Sequence, residues 1–546
     1  MIGLASAEEC LALDAKVQSG WRLGEGLLME SASVRLALAL SPLLEEIRRS
    51  ARPTRIVAVA GGGNNGGDAL ALLRHLSFAG FGPCLALVTE REPKALAARQ
   101  ASSLAAGGIP VLRWNSGEGR AALAGADIIL DGISGTGLSG PLRGEAAELL
   151  AAVNEARSAR SSGPGDSPLV VSIDLPSGFR DGAGASEPRI RADITLSIEP
   201  RKLCLYAPML RPLAGGIIPV DNVFPQAEGP DRQLALLETA DIEGLRRPPP
   251  PSAHKGERGR LAIFAGSPGM SGALFLAARA AQAAGTGLVT LFLRDELFEA
   301  LRAASPELLG GAILRPESAA PQELSRNDAV LAGPGWGRDA SRLPLLAFLL
   351  DSALPLVLDA DALRLLPETG FSSRKSALLL TPHPGEFESL SGKAAEEFLA
   401  SPLEALAAVS SRLRATVLLK TASSWIMGPG ARLGVIDGNE AGLGVAGSGD
   451  VLSGLIGGIL AGFARASGKA SRGEDFDADA FDAAALGSLV HLEAGRRLRG
   501  REGWFEASRI VAEAAAILGK PVAGAFGQDS RPALDPRGER GYSPRA

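Results

Sequence analysis

Ile56-Val57-Ala58-Val59-Ala60-Gly61-Gly62-Gly63-Asn64-Asn65-Gly66-Gly67-Asp68 is the stretch that decides the fold. Its first five residues are apolar and small, which predicts a buried strand, and Ala69–Ala79 continues as an apolar helical stretch after the glycine turn. A strand that passes through a glycine turn into a helix is the building unit of parallel α/β sheets. The stretch therefore predicts an α/β fold.

The same alternation of strands and helices occurs on both sides of residues 246–251, which read Arg-Arg-Pro-Pro-Pro-Pro. Upstream, the predicted strands are Arg55–Ala60, Ile128–Asp131, Val170–Asp174 and Ile194–Ile198, and Gly144–Ala159 is a second predicted helix. Downstream, the predicted strands are Leu261–Ala265, Leu288–Leu293, Ala329–Ala332, Pro355–Leu358, Ala377–Leu380 and Thr416–Leu419, with a helix at Gly272–Ala284. A chain of 546 residues is too long for one core. We therefore predict two α/β domains.

The proline run marks the expected boundary, because proline donates no hydrogen bond and restricts the residue before it. We predict a linker over 226–251 and expect the halves 1–245 and 246–546 to fold separately. Residues 523–546 are rich in Arg, Pro, Gly, Asp and Ser without apolar periodicity, which predicts a disordered tail.

Composition excludes several classes of partner. The net charge of −5 and the absence of a long Lys/Arg run argue against nucleic acid. The most apolar segment, Val451–Phe463, is shorter than the roughly 20 residues that span a bilayer, and Met1–Glu9 does not resemble a signal peptide, so we expect no membrane partner. Cys10, Cys84 and Cys204 have neither metal nor redox spacing, which favours core positions in a reducing cytoplasm.

Polar residues follow three predicted strands of the N-terminal half. Besides the glycine turn, the sequence reads Asp131-Gly132-Ile133-Ser134-Gly135-Thr136-Gly137-Leu138-Ser139-Gly140-Pro141 and Asp174-Leu175-Pro176-Ser177-Gly178. Loops at the carboxyl ends of parallel strands converge on one crevice, so Asn65, Asp131, Asp174 and Ser177 are expected to share an oxygen-rich pocket. For the first loop alone, a glycine turn with Asp68 capping the helix is an equal alternative.

These three motifs, in this order, resemble the NAD(P)H-hydrate epimerase family over about residues 1–225, which implies a Rossmann-like three-layer domain. The resemblance implies that Asp174 is catalytic beside the reacting ring and that Asn65, Asp131 and Ser177 bind potassium. It also implies that the hydrated dinucleotide is bound by Asn64, Asn65, Gly66, Gly67, Asp68, Gly135, Thr136, Gly137, Leu138, Ser139, Gly140, Pro141 and Asp174. Ala69 stands where that family usually has Gly.

The substrate implied by this resemblance is a hemiaminal with a hydroxyl at C6 of the reduced nicotinamide ring. Its R and S forms exchange by ring opening or by loss and return of hydroxide, and both routes move protons. A carboxylate such as Asp174 could act as acid and base. The residues leave the choice of route open.

The clearest motif of the C-terminal half is Ala446-Gly447-Ser448-Gly449-Asp450-Val451-Leu452-Ser453-Gly454, a glycine turn that opens a helix. Amides at a helix start favour a transferring phosphoryl group, and Asp450 could accept the proton of an attacking hydroxyl. This run resembles the ribokinase-type phosphotransfer loop, which implies a ribokinase-like α/β domain. An ordinary helix start with an acidic residue in its first turn is the alternative for the motif alone.

Further motifs extend this resemblance. They are His254-Lys255-Gly256, Gly259-Arg260, Gly266-Ser267-Pro268-Gly269-Met270-Ser271-Gly272-Ala273, Gly333-Pro334-Gly335, Asp359-Ala360-Asp361-Ala362-Leu363 and Thr381-Pro382-His383-Pro384-Gly385-Glu386. Together they resemble the ADP- or ATP-dependent NAD(P)H-hydrate dehydratase family over about residues 250–518, here placed in a domain at 252–522. The resemblance implies that the hydrate is contacted by Gly335, His383 and Asp450, and the adenine nucleotide by Lys420, Thr421, Ala422, Ser423, Ser424 and Gly449.

The expected dehydratase reaction follows from leaving-group chemistry, because phosphate leaves carbon more readily than hydroxide. Asp450 would deprotonate the C6 hydroxyl, the hydroxyl would take the terminal phosphoryl group, and elimination of phosphate would restore NADH or NADPH, with magnesium bridging the nucleotide phosphates. Thr421 and Ser423 stand where the family usually has Gly, and Glu440-Ala441 replaces Asn-Pro, so ADP and ATP both remain open as donors. His75 and His491 lie in apolar helical runs, which favours structural roles.

The sequence thus predicts a cytoplasmic repair enzyme for hydrated NADH and NADPH that combines an isomerase with a lyase, and we expect a homo-oligomer. Two alternatives stay open. One is a small-molecule kinase of the vitamin type, which would release a stable phosphorylated product. The other is an N-terminal half that binds nucleotides or proteins without turnover.

Overall fold

The computed structural model describes residues 1–49, 54–89, 93–159, 167–224, 234–301, 311–468 and 473–520. The tail predicted at 523–546 lies outside the described residues. The strands of the first half are β1 (Ile2–Ala5), β2 (Ile56–Ala60), β3 (Cys84–Val88), β4 (Val111–Arg113), β5 (Ile128–Gly132), β6 (Leu169–Ile173), β7 (Ile194–Ile198), β8 (Arg201–Lys202) and β9 (Gly216–Val220). They are followed by β10 (Leu234–Leu236), β11 (Arg260–Phe264), β12 (Leu288–Leu293), β13 (Ile313–Pro316), β14 (Ala329–Ala332), β15 (Leu356–Leu358), β16 (Leu378–Leu380), β17 (Thr416–Leu419), β18 (Ser423–Met427) and β19 (Leu433–Asp437).

The helices complete the α/β alternation. In the first half they are α1 (Ala7–Trp21), α2 (Glu25–Arg48), α3 (Asn64–Phe78), α4 (Ala95–Ala106), α5 (Gly117–Ala124), α6 (Gly144–Ala159) and, within the expected linker, α7 (Ile242–Leu245). In the second half they are α8 (Ser271–Ala283), α9 (Asp295–Leu301), α10 (Ala320–Glu323), α11 (Leu343–Asp351), α12 (Asp361–Leu365), α13 (Pro384–Ser391), α14 (Ala395–Ala400), α15 (Pro402–Leu413), α16 (Ser448–Ser467), α17 (Gly473–Glu502) and α18 (Ala507–Leu518).

The first sheet is parallel throughout, in the order β4-β3-β2-β5-β6-β7-β9. Successive side chains of β2 enter opposite cores: Ile56, Ala58 and Ala60 pack on one face and Val57 and Val59 on the other. Helices cover both faces, which a parallel sheet requires. The predicted Rossmann-like three-layer domain is confirmed.

The second sheet has the order β13-β12-β11-β14-β15-β16-β17-β18-β19-β10-β1-β8. It is parallel from β13 to β17 and then turns antiparallel through β18 and β19, and the predicted ribokinase-like domain is confirmed. Helix α16 packs closely on α8, because a Cβ at Gly454 would lie 2.3 Å from the Ala277 carbonyl oxygen. By length and apolar composition two described helices, α2 and α16, are capable of crossing a membrane, and most of α16 is buried inside the protein.

The two halves share the second sheet, which differs from the expected organisation. Strands β1 and β8 come from the first half and β10 from the expected linker, yet β1 pairs with both β8 and β10, and β10 pairs with β19. Trp425 Nε1 donates a 2.9 Å hydrogen bond to the Tyr206 carbonyl, and Arg211 Nε lies 2.8 Å from Asp437 Oδ1. This joint argues against independent folding of 1–245 and 246–546. β1, β8 and β10 were not predicted from sequence, because their pairing joins distant parts of the chain.

Candidate active sites

A cavity of about 580 Å³ opens beyond the carboxyl ends of β2, β5 and β6. This edge of the sheet is where ligands bind in open α/β folds. The predicted substrate residues that line the cavity are Asn64, Asn65, Asp68, Gly135, Thr136, Gly137, Leu138 and Asp174. The structure thus brings residues from three separate motifs together in the lining of one cavity.

The other predicted residues of these loops do not line the cavity as the described residues form it: they are Gly66, Gly67, Ser139, Gly140 and Pro141. Gly66 shapes the turn instead, since a Cβ there would lie 2.0 Å from the Gly61 carbonyl oxygen. Gly67 packs against Met29, where a Cβ would come within 2.6 Å of the methyl carbon. Both glycines allow the start of α3 to pack closely against its neighbours, the turn at Gly61 and the side chain of Met29.

Asp174 is held from several directions. Its φ of +64° lies in the left-handed region, its N–H donates to the Leu196 carbonyl at 2.9 Å, and its Oδ1 accepts from the Ile198 N–H at 3.2 Å. Oδ1 also forms an ion pair with Lys202, whose Nζ donates to the Ile198 carbonyl at 2.6 Å. Sequence reasoning missed Lys202; a lysine four residues beyond a strand that ends at the same sheet edge was the available signal.

Carboxyl groups crowd this cavity. Burial raises the pKa of Asp68 well above its usual range, and the nearby charges of Asp174 and Asp14 raise it further. Burial likewise raises the pKa of Asp14, whereas the Lys202 charge lowers the pKa of both groups. The cavity therefore favours the neutral acid form of Asp68.

The three residues predicted to bind potassium lie together behind this wall. Asp131 is fully buried, and its carboxylate accepts hydrogen bonds from the backbone and hydroxyl of Ser177 and from the Ser172 hydroxyl. Ser177 Oγ accepts from the Ser134 N–H at 2.9 Å, and Asn65 Nδ2 donates to the Ser134 carbonyl at 2.8 Å. Among the described residues, no group of three or more His, Cys, Asp or Glu side chains is arranged to hold a metal.

Asp450 lies in the first turn of α16, and this helix begins directly after Gly447, whose φ of +88° makes the glycine turn possible. Burial raises the pKa of Asp450 to about 6, and repulsion by Asp359 adds to the rise while the Lys420 charge opposes it. A carboxylate with a pKa near the working pH suits a general base.

Lys420 and Asp359 form an ion pair next to Asp450. The Lys420 Nζ is 2.6 Å from Asp359 Oδ1, which also accepts from the Thr381 hydroxyl at 2.9 Å. A Cβ built at Gly449 would lie 3.9 Å from this Nζ. The predicted nucleotide residues Lys420 and Gly449 are therefore neighbours, and Asp359 is a further residue of the site, to which the sequence pointed only as part of a motif.

Gly335 and His383 follow β14 and β16, which end at the same edge of the sheet with β15 between them. His383 caps α13, accepting the Glu386 N–H on Nδ1 at 3.3 Å, and burial with the charges of Lys420 and Arg364 lowers its pKa. Gly335 has a φ of +59°, and a Cβ there would lie 2.7 Å from the Met270 carbonyl oxygen. Because Nδ1 accepts, Nε2 carries the hydrogen of the neutral imidazole and acts as a donor, and in this structure it lies 3.1 Å from Glu386 Oε1.

The residues after Lys420 bond mainly to one another. The Thr421 N–H donates to Ser424 Oγ at 3.3 Å, the Thr421 hydroxyl donates to the Ser423 carbonyl, and Ser424 Oγ donates back to the Thr421 carbonyl at 3.0 Å. Ser423 is fully buried and Ala422 accepts the Asn439 N–H at 2.8 Å. The turn is thus closed by the hydroxyl groups of Thr421 and Ser424, whereas the buried Ser423 hydroxyl has no hydrogen-bond partner among the described residues.

His491 contacts the glycine turn. It is buried on α17, and its Nε2 lies 3.0 Å from the Ser448 hydroxyl oxygen at the start of α16. Burial lowers the pKa of His491 to about 4, which keeps the ring neutral. The residue supports the loop that carries Asp450.

Fold and geometry define a two-site α/β protein with a carboxylate of raised pKa in the first turn of a helix, a kind of helix start that suits phosphoryl groups. The family model described as NAD(P)H-hydrate dehydratase matches residues 261–515, and that described as YjeF-related protein N-terminus matches residues 25–204. The bifunctional NAD(P)H-hydrate repair enzyme Nnr of Moorella thermoacetica is 32% identical over 515 residues, which cover 90% of this chain and 92% of that protein. The protein of the same name from Coxiella burnetii is 31% identical over 413 residues, 74% of this chain and 80% of that one. The chain belongs to the family of bifunctional NAD(P)H-hydrate repair enzymes.

A solved structure, the ADP/ATP-dependent NAD(P)H-hydrate dehydratase of Bacillus subtilis co-crystallized with ATP and Mg²⁺, is also similar to part of the chain. Its sequence is 20% identical, the TM-score is 0.43, and the match covers 52% of this chain and 97% of that one.

Proposed function

We propose that this chain interconverts the R and S hydrates of NADH and NADPH in its N-terminal cavity and dehydrates the S hydrate, with ADP or ATP as phosphoryl donor, at its C-terminal site. The observation that carries this proposal is Asp450, a half-buried carboxylate with a pKa of about 6 at the start of α16, next to the Lys420–Asp359 pair. Family membership supports the choice of substrate. The site residues predicted from sequence keep their roles here as proposals.

In the dehydratase, Asp450 accepts the proton of the C6 hydroxyl, and the hydroxyl oxygen then attacks the terminal phosphorus of the nucleotide. The amides at the start of α16 and the Lys420 ammonium stabilise charge on the phosphoryl oxygens. His383 and Gly335 position the hydrate. The phosphorylated carbon then loses inorganic phosphate, which restores the dihydronicotinamide.

Magnesium supplies positive charge to the transferring phosphoryl group when it is bound. It is usually held by the phosphates and one or two carboxylates, and Asp359 and Asp361 are the carboxylates of this site that fit that role. Asp361 lies close enough to Asp450 to raise its pKa. The nucleotide itself is assigned to Lys420, Thr421, Ala422, Ser423, Ser424 and Gly449.

In the epimerase, Asp174 exchanges protons with the hydrated ring, and the loops at 64–68 and 135–141 hold the dinucleotide. Potassium fits the oxygen-rich set of Asn65, Asp131 and Ser177, because oxygen ligands suit hard cations and the carboxylate of Asp131 is buried. The ion would supply positive charge behind the loops that receive the substrate.

We place the enzyme in the cytoplasm with small-molecule partners, in keeping with its three free cysteines. We propose a homo-oligomer because Leu27, Val34 and Leu38 are 64%, 40% and 64% exposed along α2. A contiguous apolar stripe of this kind favours contact with another protein surface. Sedimentation of the purified chain tests the oligomeric state.

The function is tested with purified protein and separated hydrates. With S hydrate and either donor, we expect one inorganic phosphate per molecule of reduced nicotinamide recovered, measured by phosphate assay and absorbance. A stable phosphorylated product without recovered absorbance would instead identify a small-molecule kinase. With R hydrate alone, recovery of absorbance above the spontaneous rate requires an active epimerase, and its absence would reduce the N-terminal half to a binding module.

A further inference from the structure

Asp174 and Lys202 form a buried acid–base pair at the cavity wall. Their side chains are 11% and 5% exposed, they are in direct contact, and both line the cavity. In the described part of the chain the Lys202 ammonium contacts Asp174 Oδ1 and the Ile198 carbonyl, and an ammonium has three hydrogens to donate. One hydrogen is therefore left for a ligand in the cavity.

The chemistry of the proposed substrate matches this pair. In a hemiaminal, the hydroxyl oxygen and the ring nitrogen N1 are bonded to the same carbon, so a base for the hydroxyl and an acid for N1 are needed side by side. We propose that Asp174 and Lys202 act together as base and acid, and that epimerisation proceeds by opening of the ring. This inference rests on the proposed epimerase function and selects one of the two routes that the sequence left open.

The steps balance without a further reactant. Asp174 takes the proton of the C6 hydroxyl, the C6–N1 bond breaks with its electron pair going to N1, and N1 takes a proton from Lys202. The product is an open chain with an aldehyde at C6. While the ring is open, Asp174 holds the hydroxyl proton and Lys202 is neutral. Rotation about the C5–C6 bond presents the other aldehyde face, and the reverse steps close the ring with inverted configuration. On closure Asp174 gives its proton to the aldehyde oxygen and Lys202 takes the N1 proton, which restores the ion pair.

Loss and return of hydroxide fits the geometry less well. That route releases water from one face of the ring and adds water to the opposite face, so it needs proton-handling groups on both faces. Two groups in direct contact serve a single edge of the substrate. Ring opening uses that same edge in both directions, because the inversion takes place within the open chain.

The surroundings keep the pair in place. Strand β8 carries Lys202, where it pairs with Ala5 of β1, and the backbone of Asp174 is bonded to β7. In the described part of the chain, the titratable groups near this pair include Cys10, Asp14, Asp68 and Cys204, and Asp181 acts in turn on Cys10 and Cys204. Lys202 is the positive charge that acts on Cys10, Asp14, Asp68 and Cys204, which fits a proton donor placed among acids.

Oxygen-18 water tests the route on the unmodified protein. Pure R hydrate is incubated with the enzyme in labelled water, and the first S hydrate formed is separated. Its oxygen-18 content is measured by mass spectrometry and compared with that of S hydrate formed by the spontaneous reaction. We expect the S hydrate to keep its original oxygen, because the aldehyde oxygen is the former hydroxyl oxygen. One solvent oxygen per inversion would overturn ring opening. No acceleration by the enzyme at all would overturn the proposed epimerase function, and this mechanism with it.

Two variants test the role of Lys202. Lys202→Met removes the proton donor and is expected to slow epimerisation by roughly 10² to 10⁴. Lys202→Arg keeps a cation against Asp174 but does not release a proton near neutral pH, so we expect a loss of at least about 10² here as well. Dehydration of pure S hydrate, measured on the same samples, reports that the chain is folded. Epimerisation by Lys202→Arg within about threefold of the unmodified rate would overturn the assignment of the proton donor.

Discussion

Replacing Asp450 by Asn is expected to stop dehydration and, at neutral pH, to stabilise the fold. Both effects have the same origin, because the site holds a carboxylate where burial and Asp359 disfavour its charge. An amide of the same shape carries no charge and accepts no proton. The variant therefore shows separately how much the carboxylate contributes to the dehydration rate and how much it lowers the free energy of unfolding.

The size of the effect follows from the pKa. Asp450 goes from 3.8 to about 6 in the folded protein. Each pKa unit corresponds to about 1.36 kcal/mol, so above pH 6 the charged side chain lowers the free energy of unfolding by at most about 3 kcal/mol. Partial contact with solvent reduces this to about 1 to 2 kcal/mol. The sign is destabilising: the penalty is absent below the unfolded pKa and develops as pH rises from about 4 to 6.

Urea unfolding of both proteins at pH 7.5 and pH 4.5 measures this. We expect Asp450→Asn to be the more stable protein at pH 7.5 and the difference to shrink at pH 4.5, while epimerisation stays unchanged. Dehydration should fall by roughly 10² to 10⁴, and in the unmodified enzyme kcat/KM should fall about tenfold per pH unit below pH 6. A variant that is less stable at pH 7.5, or that dehydrates within about threefold of the unmodified rate, would refute this reasoning.

Three further predictions concern other parts of the chain. Asp174→Ala should leave dehydration of S hydrate intact, so that a mixed hydrate is consumed until the R form remains, as chiral chromatography would show; rapid loss of both forms would contradict the catalytic role. Removing residues 1–5 takes away the partner of β8, and we expect epimerisation to fall more than dehydration in paired rate assays. His491→Gln, which keeps a hydrogen-bonding group for Ser448, should retain more dehydratase activity than His491→Leu, with epimerisation equal in both; equal dehydration rates would show that the contact does not position the loop.

Long buried strands were predictable because their apolar runs are uninterrupted. β2, β5 and β14 are buried at every position, and a short apolar run between turn signals is typical of a strand inside a parallel sheet. β1, β8 and β10 were not predicted, because their pairing joins distant parts of the chain, which a local sequence pattern does not report. The proline run at 246–251 was a true break in local structure but did not mark where the two sheets separate.

Some residues of the candidate sites could likewise be predicted from sequence motifs, whereas others are brought to the sites only by the fold. Asp174 and Asp450 were found because each follows a strand or opens a helix within a glycine motif. Lys202 has no such neighbours, and its role depends on the path of β8, which brings it against Asp174. The self-bonded turn of Thr421 and Ser424 was also beyond sequence reasoning, because hydroxyl partners are decided by the closed loop.

Because both halves contribute to the second sheet, β10 waits for its partner β19 during translation. β1, β8 and β10 have all been synthesised once Leu236 is added, but β10 finds its second partner only when Leu433 of β19 has been added as well. At about 5 to 20 residues per second, the roughly 200 residues between them take about 10 to 40 s, during which β10 presents an unpaired edge. Exposed edges invite pairing with other chains. Translation that stalls or ends within the second half thus releases a chain in which the first sheet is complete but one edge of β10 is unpaired. Completion of the second sheet covers this edge and so protects the N-terminal domain from aggregation.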